Sequence, residues 1–98
     1  MIVRLTAEAE RDLEAIGDYI SADSPDAVAL FIREMREKCL GLADFPARFP
    51  LVPRYEASGV RRRVHGNYLI FYCVEPDAVT VLHILNGTMD YEALLFPQ

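Results

Sequence analysis

Apolar residues along this chain keep one spacing in its first half and another in its second. Ala9, Leu13, Ile16 and Ile20 recur at helical intervals, with Tyr19 flanking the stripe and Arg11, Asp12, Glu14 and Asp18 filling the opposite side. That pattern predicts an amphipathic helix with one face on a core. Thr6, just ahead of it, is suited to cap the helix, and Glu8 and Glu10 stand where the helix dipole favours negative charge. The stretch from Ser21 to Asp26 breaks the pattern, with Ser24 able to cap and Pro25 acceptable at a first helical position. Val28, Phe31, Ile32, Met35, Cys39 and Leu42 then trace one face of a second helix, opposite Arg33, Glu34, Arg36, Glu37 and Lys38. Gly41 and Pro46 mark its end, and the two helices predict a hairpin.

From Val60 the spacing becomes that of strands. The runs VRRRV, NYLIFYCV and AVTVLHIL are separated by Gly66-Asn67 and Pro76-Asp77, both turn signals, and read as an antiparallel meander. Ile2 to Leu5 supplies a further short strand at the start. Residues 43 to 59, rich in proline, cannot continue a helix and form a surface connector with Phe45 or Phe49 tucked in. After the meander, Gly87-Thr88-Met89-Asp90 turns the chain into a loosely held closing turn of helix near residues 91 to 96. The order predicts an α+β fold: an N-terminal strand, then an αα hairpin packed on a small, mainly antiparallel sheet (β-α-α-β-β-β), as a single domain over residues 1–98.

The central strand departs from the alternation of a half-exposed sheet. Tyr68, Ile70, Tyr72 and Val74 point one way, Leu69, Phe71 and Cys73 the other, and both sets are apolar. Two helices cover one face, with Tyr68 and Tyr72 in that core. The second face is expected to be open and to be covered by a partner, so that the lone chain self-associates.

Composition narrows the function. At 98 residues with 52% hydrophobic, the chain is long enough for one core and too apolar to be disordered, and no apolar run approaches the roughly 20 residues that span a bilayer. No membrane association is expected. The first residues, MIVRLTAEAERDL, carry no secretory or transit pattern, which predicts a cytoplasmic protein, and the widely separated Cys39 and Cys73 read as reduced thiols. A net charge of −5 argues against direct nucleic-acid binding, although Arg48, Arg54 and Arg61-Arg62-Arg63 form a local basic stretch.

Candidate chemistry is sparse. His65 sits at a turn and His83 in an apolar strand without a legible acid or nucleophile, and two histidines and two cysteines lack metal-ligand spacing. No catalytic residue, metal or cofactor is expected. Alternation sends Arg61 and Arg63 to one face and Arg62 to the other, so at least one guanidinium can pair with an acidic segment of a partner.

Leu13, Ile16, Tyr19 and Ile20, Phe45-Pro46, the arginine-bearing strand, Tyr68-Leu69-Ile70-Phe71-Tyr72 and the ending Leu85-Asn86-Gly87-Thr88-Met89-Asp90 together resemble the RelE/ParE superfamily of bacterial type II toxin–antitoxin toxins, the ParE branch above all. The resemblance implies a toxin that inhibits DNA gyrase by protein contact, is not an enzyme, and is neutralised by a ParD-like antitoxin in a hetero-oligomer. It places antitoxin contacts at Arg61, Arg62, Arg63, Leu69, Phe71 and Cys73, and target contacts at Asn86, Met89 and Tyr91. Asn86 and Met89 stand where ParE-like chains usually carry histidine and arginine.

The RelE branch implies a different activity, ribosome-dependent cleavage of messenger RNA, which needs cations on the scissile phosphate and a proton-transfer group. Leu69, Met89 and Leu95 occupy the positions of such groups here, which leaves Arg54, Arg61 to Arg63 and Tyr91 as the residues that would have to serve. A toxin that has lost its activity and only binds antitoxin is the third alternative.

Overall fold

Thr6 starts the first helix and also ties it to the sheet. In a computed structural model, which describes residues 1–97, the Thr6 hydroxyl accepts the Ala9 N–H at 3.1 Å and donates to the Leu82 carbonyl at 2.9 Å. Strand β1 (Ile2–Leu5) precedes it, and helix α1 (Ala7–Asp23) follows. Helix α2 (Pro25–Leu40) begins after one extended residue, Ser24, at φ −148° and ψ 93°. The break is shorter than the six residues the sequence suggested. Proline disfavours the helical conformation only for the residue before it, so residues 21 to 23 stay in α1. Ser24 makes no side-chain cap bond.

Gly17 is buried on the face of α1 that meets α2. A Cβ there would stand 3.5 Å from Ile32 Cδ1 and 3.7 Å from Val28 Cγ1, ordinary contact distances. Because glycine in a helix interior is entropically costly, Gly17→Ala is expected to raise stability by about 0.5–1 kcal/mol, read as a thermal midpoint several degrees higher. A lower midpoint would mean that the helix interface has no room for one methyl group.

Strands β2 (Arg61–His65), β3 (Tyr68–Val74) and β4 (Ala78–Asn86) form the meander, and β1 joins it parallel to β4, giving the order β1-β4-β3-β2. Gly66 adopts φ +59° in the two-residue turn while Asn67 stays at negative φ, as in a type II′ hairpin. Between β3 and β4 the pairing slips: Phe71 opposes His83, yet Tyr72 opposes Val81. The extra residue, Leu82, makes a bulge that turns its side chain to the second face, while His83 Nδ1 lies 2.7 Å from Asp12 of α1. Asp12 also accepts the Ile84 N–H at 3.0 Å, so His83 is a satisfied structural group.

The helices shelter one face. Ala9, Leu13, Met35 and Cys39 pack against Ile70, Tyr72, Val79, Val81 and Ile84 in a single buried cluster. Both cysteines are free, and burial pushes the Cys39 thiol up to about 11 against the opposing Arg36 and Arg63 charges, which keeps it unreactive.

The expectation of an open second face is corrected by the structure. Val52, Val60, Leu69, Phe71 and Leu85 form a second buried cluster, flanked by Tyr55, Cys73, Leu82, Tyr91, Leu95 and Phe96. The cover comes from the connector and from the tail, not from another chain. Tail helix α3 (Tyr91–Leu95) lies on this face, with Phe96 stacked on Tyr55 at 4.0 Å between centroids and Tyr91 set against Phe71 at 5.0 Å. An Arg54–Glu92 ion pair joins the same two segments. The tail is therefore docked rather than loosely held. Of the two connector phenylalanines, Phe49 packs on the core and Phe45 stays 77% exposed.

Candidate functional site

Strand pairing sets the site. Tyr68 opposes both His65 and Asn86, so the β2–β3 turn and the end of β4 lie at one end of the sheet, where the Gly87 N–H donates to the Asn67 carbonyl at 2.8 Å. Between them opens a cleft of about 590 Å³ whose lining includes Arg62, Val64, Asn67, Tyr68, Asn86, Thr88 and Tyr91. Arg62 Nη1 donates to the Tyr91 hydroxyl at 2.7 Å. The Asn86 carboxamide oxygen accepts the Thr88 N–H at 2.9 Å and the Thr88 hydroxyl at 2.8 Å, which fixes the loop leading to Asp90.

Two of the three expected target contacts, Asn86 and Tyr91, thus share one cleft. Met89 lies outside its lining and is about half exposed. The arginines of β2 are separated by the alternation of the strand. Arg62 enters the cleft, whereas Arg61 and Arg63 turn to the helix side and hold the connector. Arg61 donates to the carbonyls of Ala47 at 3.0 Å and Phe49 at 2.7 Å, and Arg63 to that of Lys38 at 3.0 Å. All three remain partly exposed.

The other expected antitoxin contacts fare differently. Phe71 is 0% and Leu69 8% exposed, because the tail and connector occupy the face they point to, and only Cys73 retains appreciable exposure. Phe71 presents no surface in this structure, and Leu69 only a small part of the cleft lining. Burial likewise raises the Tyr72 hydroxyl above its ordinary range, with Arg61, Arg48 and Arg63 opposing the shift, and the hydroxyl donates to the Pro46 carbonyl at 2.6 Å.

Chemically, the cleft brings together one guanidinium, two phenols, two carboxamides and a hydroxyl, and neither histidine nor any carboxylate lines it. Among the described residues, no three His, Cys, Asp or Glu side chains converge as a metal site would require. Nor is any helix among them long and apolar enough to cross a membrane. Asn67 and Thr88 were missed by sequence reasoning. Their only signal was the turn glycine beside each, which gives no indication that both turns meet.

The family described as the ParE toxin of the type II toxin–antitoxin system parDE matches residues 3–91. Among solved structures, a chain of the chromosomal ParDE TA system from P. aeruginosa superposes with a TM-score of 0.76 at 21% identity, covering 88% of this chain and 95% of that one. A chain of the toxin–antitoxin complex RelBE2 from Mycobacterium tuberculosis gives 0.59 at 25% identity, covering 87% and 88%. None of the curated protein sequences matches.

Proposed function

The chain belongs to the ParE toxin family of type II toxin–antitoxin systems, and from that premise we propose that it inhibits DNA gyrase by protein contact and is neutralised by a ParD-like antitoxin. In this reading it is not an enzyme and takes no cofactor, and it works in the cytoplasm as one partner of a hetero-oligomer. The observation that carries it is the composition of the cleft. Arg62 hydrogen-bonded to Tyr91, beside two carboxamides and with no histidine or carboxylate in the lining, supports a recognition surface. Gyrase contacts are assigned to Asn86, Tyr91 and the neighbouring exposed Met89. Of the antitoxin contacts, Arg61, Arg62 and Arg63 are retained, while Leu69 and Phe71 are withdrawn.

The test is a supercoiling assay with purified gyrase. The chain is expected to inhibit supercoiling in a dose-dependent way, with relief by the antitoxin encoded beside it. Growth arrest on expression, together with full gyrase activity in vitro, would reject gyrase as the target. Absence of both effects would favour a chain that only binds antitoxin.

One contact favours the ribonuclease reading as an alternative: Arg62 reaches Tyr91, the residue that would move a proton. In a translation-coupled cleavage assay, the enzyme reading requires cutting by the unaltered chain that Arg62→Ala and Tyr91→Phe abolish. No cutting is expected.

A further inference from the structure

A second basic feature lies apart from the cleft and includes two of the retained antitoxin contacts. Arg48, Arg61 and Arg63 gather at the bend between α2 and β2, on a protein of net charge −5. The Arg48 and Arg63 guanidinium carbons lie 4.6 and 4.8 Å from the centre of the Phe49 ring, and Arg61 donates to the Phe49 carbonyl. Among the described residues, the ion pairs involve Arg4, Arg11, Arg36, Arg54 and His83, so none of these three guanidiniums has a carboxylate within reach. Arg61 and Arg63 have structural work on backbone carbonyls. Among the described residues, the Arg48 side chain makes only its contact with the Phe49 ring, and it is exposed.

Beside this cluster stands an expensive aromatic. Phe45, whose carbonyl accepts the Arg48 N–H at 3.0 Å, holds φ 56°, a left-handed conformation that glycine adopts freely and a bulky residue does not. Its ring is 77% exposed and so returns little burial to the free chain. Leu40, also exposed, ends α2 next to Gly41, against which the Arg63 guanidinium lies. Apolar tips and unpaired cations thus share one bend.

We propose that this bend docks an acidic segment of the antitoxin, carboxylates on Arg48, Arg61 and Arg63 and an apolar side chain against Phe45 and Leu40. The proposal rests on the antitoxin reading and adds where and by what chemistry the partner is held. A peptide supplies both parts of such a contact: guanidiniums take carboxylates in bidentate pairs, and the exposed Phe45 and Leu40 take an apolar side chain, which a phosphate backbone does not offer.

The experiment measures affinity of the folded chain for the antitoxin encoded beside it, by calorimetric titration at low and high salt. Arg48→Glu and Phe45→Gly are each expected to weaken binding about tenfold and together about a hundredfold, with a flatter salt dependence for Arg48→Glu. Their thermal midpoints should not fall, since neither side chain is buried and glycine relieves the left-handed backbone. Arg33→Glu, on the exposed face of α2, should bind like the unaltered chain. If the unaltered chain binds and both variants bind within about threefold of it, the docking point lies elsewhere. No binding by the unaltered chain would overturn the antitoxin reading and this site with it. Capture of a short single-stranded RNA, lost in Arg48→Glu, would identify a different occupant and reject the proposal.

Discussion

Phe71→Ala is expected to cost the isolated chain about 3–5 kcal/mol, a large share of the roughly 5–15 kcal/mol that holds a small domain together. Phe71 is fully buried in the second cluster, in contact with the Tyr91 ring, and its removal leaves a cavity that the surrounding side chains cannot wholly fill. The measurement is urea unfolding of the lone chain, where the midpoint should drop sharply. Val64→Ala, on a strand residue 65% exposed, should move it by less than about 0.5 kcal/mol and so serves as the control. Were Phe71 a contact on an open face, the result would invert: the lone chain would keep its midpoint and only a complex would weaken.

Cutting the chain after Asp90 should have an effect of similar size with a different signature. It removes Tyr91, Leu95 and Phe96, each partly buried on the second face, for a loss of about 3 kcal/mol from burial alone. It also takes away the Tyr55–Phe96 stack, the Arg62–Tyr91 hydrogen bond and the Arg54–Glu92 pair. Phe71, Leu69 and Leu85 then meet water as a contiguous apolar patch, which drives self-association. Light scattering should show higher species for the shortened chain and a dye specific for apolar surface should bind it. A shortened chain that stays monomeric with an unchanged unfolding midpoint would mean that the tail contributes nothing to closing the sheet.

These two expectations mark where sequence reasoning succeeded and where it stopped. The helices, the Thr6 cap, the Gly66-Asn67 turn and the greasy two-sided β3 were legible because each is written in a local period or a local turn chemistry. The doubly apolar strand was read correctly and its cover wrongly. Val52 and Tyr55 sit singly in a proline-broken connector, and Tyr91, Leu95 and Phe96 in a tail too short to show a helical period, so no pattern announces that both fold over the same face. The Leu82 bulge was equally silent, since the β4 run reads as regular alternation until its partner strand is known. At the cleft, Arg62, Asn86 and Tyr91 were each named, yet their meeting depends on strand register, which spacing alone does not supply. The division of the β2 arginines, Arg61 and Arg63 to one face and Arg62 to the other, was legible in the alternation of the strand.

The parallel pairing of β1 with β4 has a kinetic side. Thr6 binds Leu82 across 76 positions, so the first strand has no place to dock until β4 has left the ribosome. At synthesis rates of about 5–20 residues per second, the N-terminal residues wait several seconds as an unpaired edge while α1 and α2 can already form. Closure of the sheet is thereby tied to the synthesis of β4, and a product interrupted before residue 78 lacks both that strand and the seat for the first.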